Sequence, residues 1–318
     1  MSITERIDAV TKIPETHLRE DPPAPRSVKI ELTGRCNYRC QFCALRTREV
    51  QPKGDMSMEL FRRITVDMRC AGVEEIGLFY LGESFTAPEL LLEAVEWCKR
   101  ELQFPYVFLT TNGSLATPER VRLILDAGLD SLKFSINAAD EEQFEAVMGV
   151  KARLFRQALD NLQTARAVRD AGKFKCGIYA SSIQYDGEQA EKMRAMLEKE
   201  VLGFVDQHYF LPLYGQMTHW NEDRTASLGY VPTAGNQGRI GALRDPLPCW
   251  SAFTEAHVTA DGILTACCFD SDGRFSMGDL VRTRFMDAWH SLPFKELRAA
   301  HLGMDVNGTI CEGCLAYA

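Results

Sequence analysis

Short apolar runs alternate with longer amphipathic stretches over the first two thirds of the 318-residue chain. The short runs are rich in β-branched and aromatic residues, which is typical of buried strands. The longer stretches carry apolar residues three to four positions apart, which predicts helices. The predicted strands are 27–32, 75–80, 106–110, 131–136, 175–183 and 206–213, and the predicted helices are 57–72, 88–102, 117–128, 151–171 and 188–201.

Residues that prefer helix ends mark several of these boundaries. Ser57 stands where an N-cap would be, Pro88 suits a first helical turn, and Gly72 and Gly128 stand where two helices would stop. The alternation amounts to about six β/α units, which predicts a parallel sheet covered by helices. Because a closed barrel has eight such units, we expect an α/β fold with an open, partial (β/α)6 barrel.

The alternation stops after residue 213. Residues 214–248 are rich in Gly, Asn, Thr and Pro, which indicates a connecting segment over the barrel mouth. Residues 256–268 predict a β-hairpin turning at Asp261 and Gly262, and residues 284–302 predict helix interrupted near Pro293. We therefore divide the chain into an N-terminal extension (1–25), the barrel (26–240) and a small cysteine-rich module (241–318).

Composition narrows the classes of function. The formal net charge is −8 and no basic stripe with interleaved aromatic residues occurs, so we expect no nucleic-acid binding. No apolar run reaches the roughly 18 residues of a membrane span, and residues 1–25 carry no apolar signal region, so we expect a cytoplasmic protein without a membrane partner. The chain nevertheless has 11 cysteines. In a reducing compartment, clustered cysteines indicate metal or redox chemistry.

Three of these cysteines, Cys36, Cys40 and Cys43, lie close together in the loop after the first predicted strand. In such folds chemistry collects at the carboxyl ends of the strands. Three thiolates hold three irons of a [4Fe–4S] cube and leave the fourth iron open. The competing interpretation is a zinc knuckle with a distant fourth ligand. The spacing, the loop position and the aromatic Phe42 favour the cube.

This motif resembles that of the radical S-adenosylmethionine (SAM) superfamily, over roughly residues 25–215. The resemblance implies that Cys36, Cys40 and Cys43 bind the cluster and that its open iron chelates SAM. It also implies that reductive cleavage of SAM gives a radical that removes hydrogen from an unactivated carbon. The other residues that the resemblance places at SAM are Phe42 near the adenine, Gly82 and Glu83 at the methionine amino group, and Ser135 and Asn137 at the ribose. For the last two, strand-end capping is an equally good interpretation.

Five C-terminal cysteines resemble the twitch module, a shortened SPASM domain that holds one auxiliary [4Fe–4S] cluster. They are Cys249, Cys267, Cys268, Cys311 and Cys314. Zinc is the alternative metal for four thiolates. The family pattern takes Cys249 and leaves Cys268 spare, which agrees with the opposite directions of neighbours in a regular strand. A bulge would let Cys267 and Cys268 both bind and would free Cys249 beside the barrel mouth. We favour this second arrangement.

Among radical SAM enzymes with such a module, the chain is similar to the aminoglycoside epimerases that convert neomycin C to neomycin B by inverting C5‴ of the terminal amino sugar. The similarity rests on the chain length, on "CALR" after the first motif, on "FYLGES" and on the "CC" hairpin. It implies that SAM is a cosubstrate and that a thiol, Cys249 or alternatively Cys268, returns hydrogen to the opposite face. The auxiliary cluster would reduce the resulting thiyl radical.

The implied partners are a polycationic aminoglycoside and an electron donor such as a flavodoxin or ferredoxin. The acidic balance of the chain suits a polycation, and candidate carboxylates lie around Glu83 and in residues 221–224. A radical SAM dehydrogenase of an aminocyclitol or amino sugar carbinol is the alternative; it would need a base, for which His208 and His219 are candidates. A peptide-modifying enzyme of the same superfamily also stays open. A non-catalytic iron–sulfur or zinc scaffold is disfavoured, because the first motif has only three local ligands.

Overall fold

The computed structural model describes residues 1–43, 45, 54–212, 238–269 and 275–314. Most of the predicted connecting segment, with His219 and residues 221–224, lies outside these residues. The strands are β1 (Ser27–Ile30), β2 (Glu75–Gly77), β3 (Tyr106–Thr111), β4 (Ser131–Ser135), β5 (Gly177–Ile183), β6 (Gln207–Leu211), β7 (Gly238–Arg239), β8 (Ala242–Leu243), β9 (Glu255–Val258), β10 (Ile263–Thr265) and β11 (Ser276–Asp279). The helices are α1 (Ile3–Thr11), α2 (Met58–Ala71), α3 (Pro88–Glu96), α4 (Pro118–Asp126), α5 (Glu141–Met148), α6 (Arg153–Gly172), α7 (Gly187–Glu200), α8 (Ser251–Thr254), α9 (Phe285–Trp289) and α10 (Leu292–Leu302). Within the described ranges, no helix has the length and apolar character to span a bilayer.

One sheet contains nine strands of the described chain, in the order β11-β10-β9-β1-β2-β3-β4-β5-β6. β1 to β6 run parallel and alternate with helices, which confirms the predicted α/β fold with a partial (β/α)6 barrel. β9 pairs in parallel with β1, from Ser27 opposite Glu255 to Ile30 opposite Val258. β10 and β11 then continue antiparallel. The cysteine-rich region therefore extends the barrel sheet itself.

The two faces of this sheet differ in polarity. Outward side chains are apolar and fully buried beneath the helices, as are Val28, Ile76, Val107, Leu132 and Ile178. Their neighbours along each strand point into the barrel interior, which we call the lumen. Residues lining the lumen include Ser27, Lys29, Glu75, Tyr106, Phe108, Thr110, Ser131, Lys133, Tyr209, Leu211, Glu255 and Cys268. The hydrophobic core thus lies between sheet and helices, and the lumen is a mainly apolar and aromatic chamber that also holds several charged and polar side chains.

The helix-end and turn signals of the sequence are confirmed. The Ser57 side chain accepts a hydrogen bond from the Leu60 N–H at 3.2 Å, and Gly72 ends α2 with φ of 96°. Gly262 turns the β9–β10 hairpin with φ of 89°, a conformation that favours glycine. Pro293 lies in the first turn of α10, where it separates this helix from α9.

Three of the described helices were not predicted from the sequence: α1, α5 and the four-residue α8. α1 lies across the amino ends of the strands, where Arg6 is 3.1 Å from Glu75 and Asp8 is 2.7 Å from Arg239. The N-terminal extension therefore forms the floor of the lumen. α5 follows β4 and packs against α6 and the loop after β1.

Candidate active site

The three cysteines of the first motif lie on the loop at the carboxyl end of β1. Cys36, Cys40 and Cys43 line one cavity of about 430 Å³. The end of α5 holds this loop, because the Arg39 N–H donates to the Met148 carbonyl at 3.0 Å. Three thiols that share one open cavity fit a cube whose fourth iron is left for another ligand.

A ring of three polar side chains fixes the cysteine loop to the end of β3. Asn112 donates to Asn37 Oδ1 at 2.9 Å, and Asn37 donates to Ser114 Oγ at 2.8 Å. Ser114 Oγ donates back to Asn112 Oδ1 at 2.8 Å. The sequence analysis missed this ring. The available signal was a pair of asparagines in two loops that the topology brings to the same edge of the sheet.

Gly82 and Glu83 follow β2 and contact the cysteine loop directly. A Cβ added at Gly82 would lie 1.9 Å from the Thr33 carbonyl oxygen, so only glycine fits there. The Glu83 N–H donates to the Arg35 carbonyl at 2.9 Å. The two segments that the resemblance places at SAM are therefore adjacent.

The Glu83 carboxylate is buried and already accepts three hydrogen bonds. Its donors are the Asn112 N–H at 2.7 Å, the Thr111 hydroxyl at 2.9 Å and the Phe85 N–H at 3.2 Å. Burial raises the pKa of Glu83. Since a carboxylate offers about four acceptor positions, roughly one is left for a ligand. The contact of Glu83 with the methionine amino group stays a prediction.

The Asn137 side chain caps the end of a strand, which is the alternative to the predicted contact with the ribose of SAM. Its Oδ1 accepts from the Ile183 N–H at 3.1 Å, and its carbonyl accepts from the Tyr185 hydroxyl. Ser135 ends β4, half-buried at the same edge. Phe42 is half-buried against the core. Contacts of these residues with SAM stay predictions.

Four C-terminal thiols surround a second, smaller cavity. Cys249, Cys267, Cys311 and Cys314 line it with mostly apolar side chains and with His301, whose Nδ1 accepts from the Cys249 N–H at 3.2 Å. Four thiols in an apolar site fit a closed cube. Among the residues described here, no three His, Cys, Asp or Glu side chains converge on a single-ion position. A cube requires a wider arrangement, since each thiolate binds a different iron.

Cys268 faces the lumen, although it is next to Cys267. The structure thus groups the four cysteines of the family pattern, and not the set with Cys268 in place of Cys249 that we favoured. A bulge does occur in this hairpin, but it lies where β11 pairs with Leu264 and Thr265. Both cysteines lie beyond Thr265, the last residue of β10, so strand alternation does not set their directions. A hydrogen bond between their thiols raises the pKa of Cys267 and lowers that of Cys268, so the two side chains touch although they line different cavities.

On one wall of the lumen, the buried carboxylate of Glu255 lies between the side chains of Lys29 and His257. Lys29 Nζ lies 2.8 Å from Glu255 Oε1, and His257 Nε2 lies 3.2 Å from Glu255 Oε2. Burial alone would raise the pKa of Glu255, but Lys29 and His257 hold it at about 2. Glu255 is therefore a carboxylate at any physiological pH.

Lys133 stands elsewhere on the lumen wall and donates to the Tyr209 hydroxyl at 3.1 Å. Burial, and next the charge of Lys29, lower the pKa of Lys133 to about 7. The described lumen thus carries both signs of charge and has no predominantly acidic lining. His208, a candidate base, lies on the outer face of β6 with its Nε2 3.0 Å from Ser182 Oγ.

Family profiles match both the barrel and the C-terminal cysteine-rich module of the chain. The Radical SAM superfamily profile matches residues 30–197, which is more than half of the chain. The chain belongs to the radical SAM superfamily. An iron–sulfur cluster-binding domain profile, SPASM, matches residues 249–315. This radical SAM enzyme therefore uses SAM and binds iron–sulfur clusters.

Relatives of this radical SAM chain span several activities. A GTP 3',8-cyclase of Limosilactobacillus fermentum is 25% identical over 271 residues, which cover 76% of this chain and 79% of the relative. The PqqA peptide cyclase of Streptomyces rochei is 30% identical over 149 residues, covering 47% of this chain and 38% of the relative.

Solved structures share the fold at low sequence identity. BtrN in complex with AdoMet and 2-DOIA has a TM-score of 0.54 at 17% identity and covers 87% of this chain, which in turn covers 86% of BtrN. Streptococcus suis SuiB bound to S-adenosylmethionine has a TM-score of 0.63 at 15% identity, with 92% of this chain and 72% of SuiB covered.

Proposed function

We propose that this radical SAM enzyme is an epimerase, which inverts one carbon of a sugar-like substrate held in the lumen. The observation that carries the proposal is that Cys268 lines the lumen, while the three-cysteine cavity lies at the carboxyl ends of the strands that enclose the lumen. Cys36, Cys40 and Cys43 follow β1, at the carboxyl ends of the parallel strands. Cys268 follows β10, which runs antiparallel to β9, and so lies toward the amino ends. A substrate between them meets different groups on its two faces.

Inversion requires such an arrangement. When bound, the first cluster and SAM supply a 5′-deoxyadenosyl radical that removes a hydrogen atom from the substrate carbon. A cysteine thiol on the far side gives its hydrogen atom to the carbon radical, which forms a C–H bond of opposite configuration and leaves a thiyl radical. One electron from a low-potential donor and one proton regenerate the thiol. The lumen residues orient the ring and exclude water meanwhile.

The C-terminal module has five cysteines, and a closed [4Fe–4S] cube takes four ligands. One cysteine is therefore left to donate the hydrogen atom. On the placement described above this cysteine is Cys268, because it lines the lumen while the other four line the second cavity. Cys249, the donor favoured by the sequence analysis, takes the role if Cys268 binds the cluster instead; its neighbour Trp250 lines the lumen. Both assignments give two [4Fe–4S] clusters and one donor cysteine.

For the substrate we propose an aminoglycoside, with neomycin C to neomycin B as the specific reaction and SAM as a cosubstrate. The support is the sequence resemblance together with Glu255, an ionised carboxylate inside the lumen that can pair with a substrate ammonium group. A flavodoxin or ferredoxin would supply the electrons.

A dehydrogenase is the second candidate, and Lys133 is the observation that favours it. Oxidation of a carbinol needs a base for the hydroxyl proton, and a lysine whose pKa is about 7 can accept one near neutral pH. Lys133 lines the lumen, whereas His208 does not face it.

Turnover of neomycin C in D2O distinguishes the two functions. An epimerase that uses an exchangeable thiol places one solvent deuterium on the inverted carbon of the product, which mass spectrometry and NMR detect. A dehydrogenase gives a carbonyl product two mass units lighter and adds no deuterium to carbon. Reconstituted protein that neither cleaves SAM nor changes neomycin C would exclude the specific reaction proposed.

A further inference from the structure

The size of the lumen limits what it can hold. The cavity has a volume of about 210 Å³. This is below the range of about 300–1,000 Å³ that is usual for small-molecule pockets. A single six-membered amino sugar has about a dozen heavy atoms and a volume of this order, whereas an oligosaccharide is several times larger. One ring fits, and the rest of a larger substrate would stay outside.

The first polar group of the lumen is the Glu255 carboxylate. Lys29 occupies one of its oxygens at 2.8 Å, and His257 approaches the other at 3.2 Å. Glu255 Oε2 accepts no hydrogen bond from the described residues, so a ligand ammonium can bind there while Lys29 keeps its place on Oε1. An ammonium group of the ligand would then make a second charge-assisted hydrogen bond.

The second polar group combines Lys133 and Tyr209, from two strands separated by β5. Lys133 has three N–H donors, of which one goes to the Tyr209 hydroxyl. Among the described residues, Lys133 makes no ion pair with a carboxylate. An ammonium group removed from water without a counter-charge is costly, so oxygen atoms of a ligand would compensate it. The floor of the lumen does not compete, because Arg6 already pairs with Glu75.

We propose that the lumen binds a single amino sugar ring, with Glu255 as partner of a ring ammonium group and with Lys133 and Tyr209 as partners of a ring oxygen. This rests on the proposed function, since it names the residues that would hold that substrate. It adds that recognition at the reacting end is confined to one ring. A monosaccharide should therefore occupy the same place as the terminal ring of an aminoglycoside.

The test is calorimetric binding to the reconstituted full chain under anaerobic conditions with SAM present. The probes are neomycin C and the single ring glucosamine. The variants are Glu255→Gln, Lys133→Met and Tyr209→Phe, and the matched controls are Glu198→Gln and Lys151→Met, whose side chains are exposed on the surface. Loss of a charge-assisted contact should weaken binding of both probes about ten-fold or more for Glu255→Gln and Lys133→Met. The controls should stay within about two-fold of the unchanged protein.

Each result bears on the proposal. If the unchanged protein binds neomycin C but Glu255→Gln and Lys133→Met bind it equally well, the assigned residues are wrong and the epimerase proposal stands. If neomycin C binds and glucosamine does not, recognition through one ring is wrong. If neither probe binds, both proposals fail for amino sugars. Iron content and SAM affinity report whether each variant is folded, and Tyr209→Phe, which removes only one oxygen atom, provides the test if the charge variants do not fold.

Discussion

Cys267 and Cys268 are consecutive in the chain but face different cavities. Cys267 shares the second cavity with Cys249, Cys311 and Cys314, whereas Cys268 lines the lumen. One peptide unit therefore separates the candidate auxiliary cluster site from the chamber proposed for the substrate. A radical formed on Cys268 would lie next to a ligand of that cluster.

Alanine substitution of the two candidate donors should separate their roles. On the described placement, Cys249→Ala removes a cluster ligand and should lower the iron content by about four atoms per chain. Cys268→Ala should keep its iron and still cleave SAM, but give no inverted product, because no thiol remains on the far side. Iron analysis, EPR and product analysis in D2O measure these effects. Cys70→Ala, at an exposed position on α2, is the control. The reverse pattern would return the donor role to Cys249.

Substitution of Gly82 should disrupt the first cluster site. The Cβ of Gly82→Ala would overlap the Thr33 carbonyl oxygen at 1.9 Å, so the backbone of one segment must shift. We expect a loss of about 2–3 kcal/mol in the free energy of unfolding, with loss of the first cluster. Thermal unfolding and cluster absorbance measure this. Gly54→Ala is the control, since a Cβ at that position meets no atom within 4 Å. Equal behaviour of the two variants would contradict the close approach.

Asn112 and Asn37 should be energetically coupled. Asn112→Ala removes its bond to Asn37 and its acceptor contacts with Ser114. We expect a cost of about 1–2 kcal/mol and weaker SAM binding, because the cysteine loop is no longer fixed to β3. In a double-mutant cycle, the variant with both Asn112→Ala and Asn37→Ala should lose less free energy of unfolding than the two single variants lose in sum. Strictly additive changes in the midpoint of unfolding would show that the ring has no role.

The stability of the protein should depend on pH through Lys133. The pKa of Lys133 falls from 10.5 to about 7 on folding, so between these values the unfolded chain binds one proton more than the folded chain. Stability should therefore rise with pH across this window, by at most about 1.4 kcal/mol per pH unit. Lys133→Met removes this dependence, so its Tm advantage over the unchanged protein should shrink from pH 7 to pH 10. A Tm difference that does not change with pH would mean that burial does not disfavour the charged form of the Lys133 side chain.

The sequence predicted the six parallel strands because their apolar runs are local signals. It could not predict that β9 pairs with β1, since nothing in either segment reports a partner that lies more than 200 positions away. One signal was available but was not used. Lys29 and Lys133 interrupt otherwise apolar strands, and a charge in a strand covered on its outer face must line a chamber. The directions of Cys267 and Cys268 could not be predicted from strand alternation, because β10 ends at Thr265 and both cysteines lie beyond it.

The parallel junction of β9 with β1 has a consequence for the construction of chimaeras. Because the C-terminal hairpin completes the same sheet as the barrel, its hydrogen bonds fix its register against Ser27–Ile30. A hairpin grafted from a relative would have to match that register, and a shift of one residue would turn Glu255 out of the lumen. Exchange of substrate range between relatives should therefore succeed when β1 and the hairpin are transplanted together, and fail when the C-terminal segment is moved by itself.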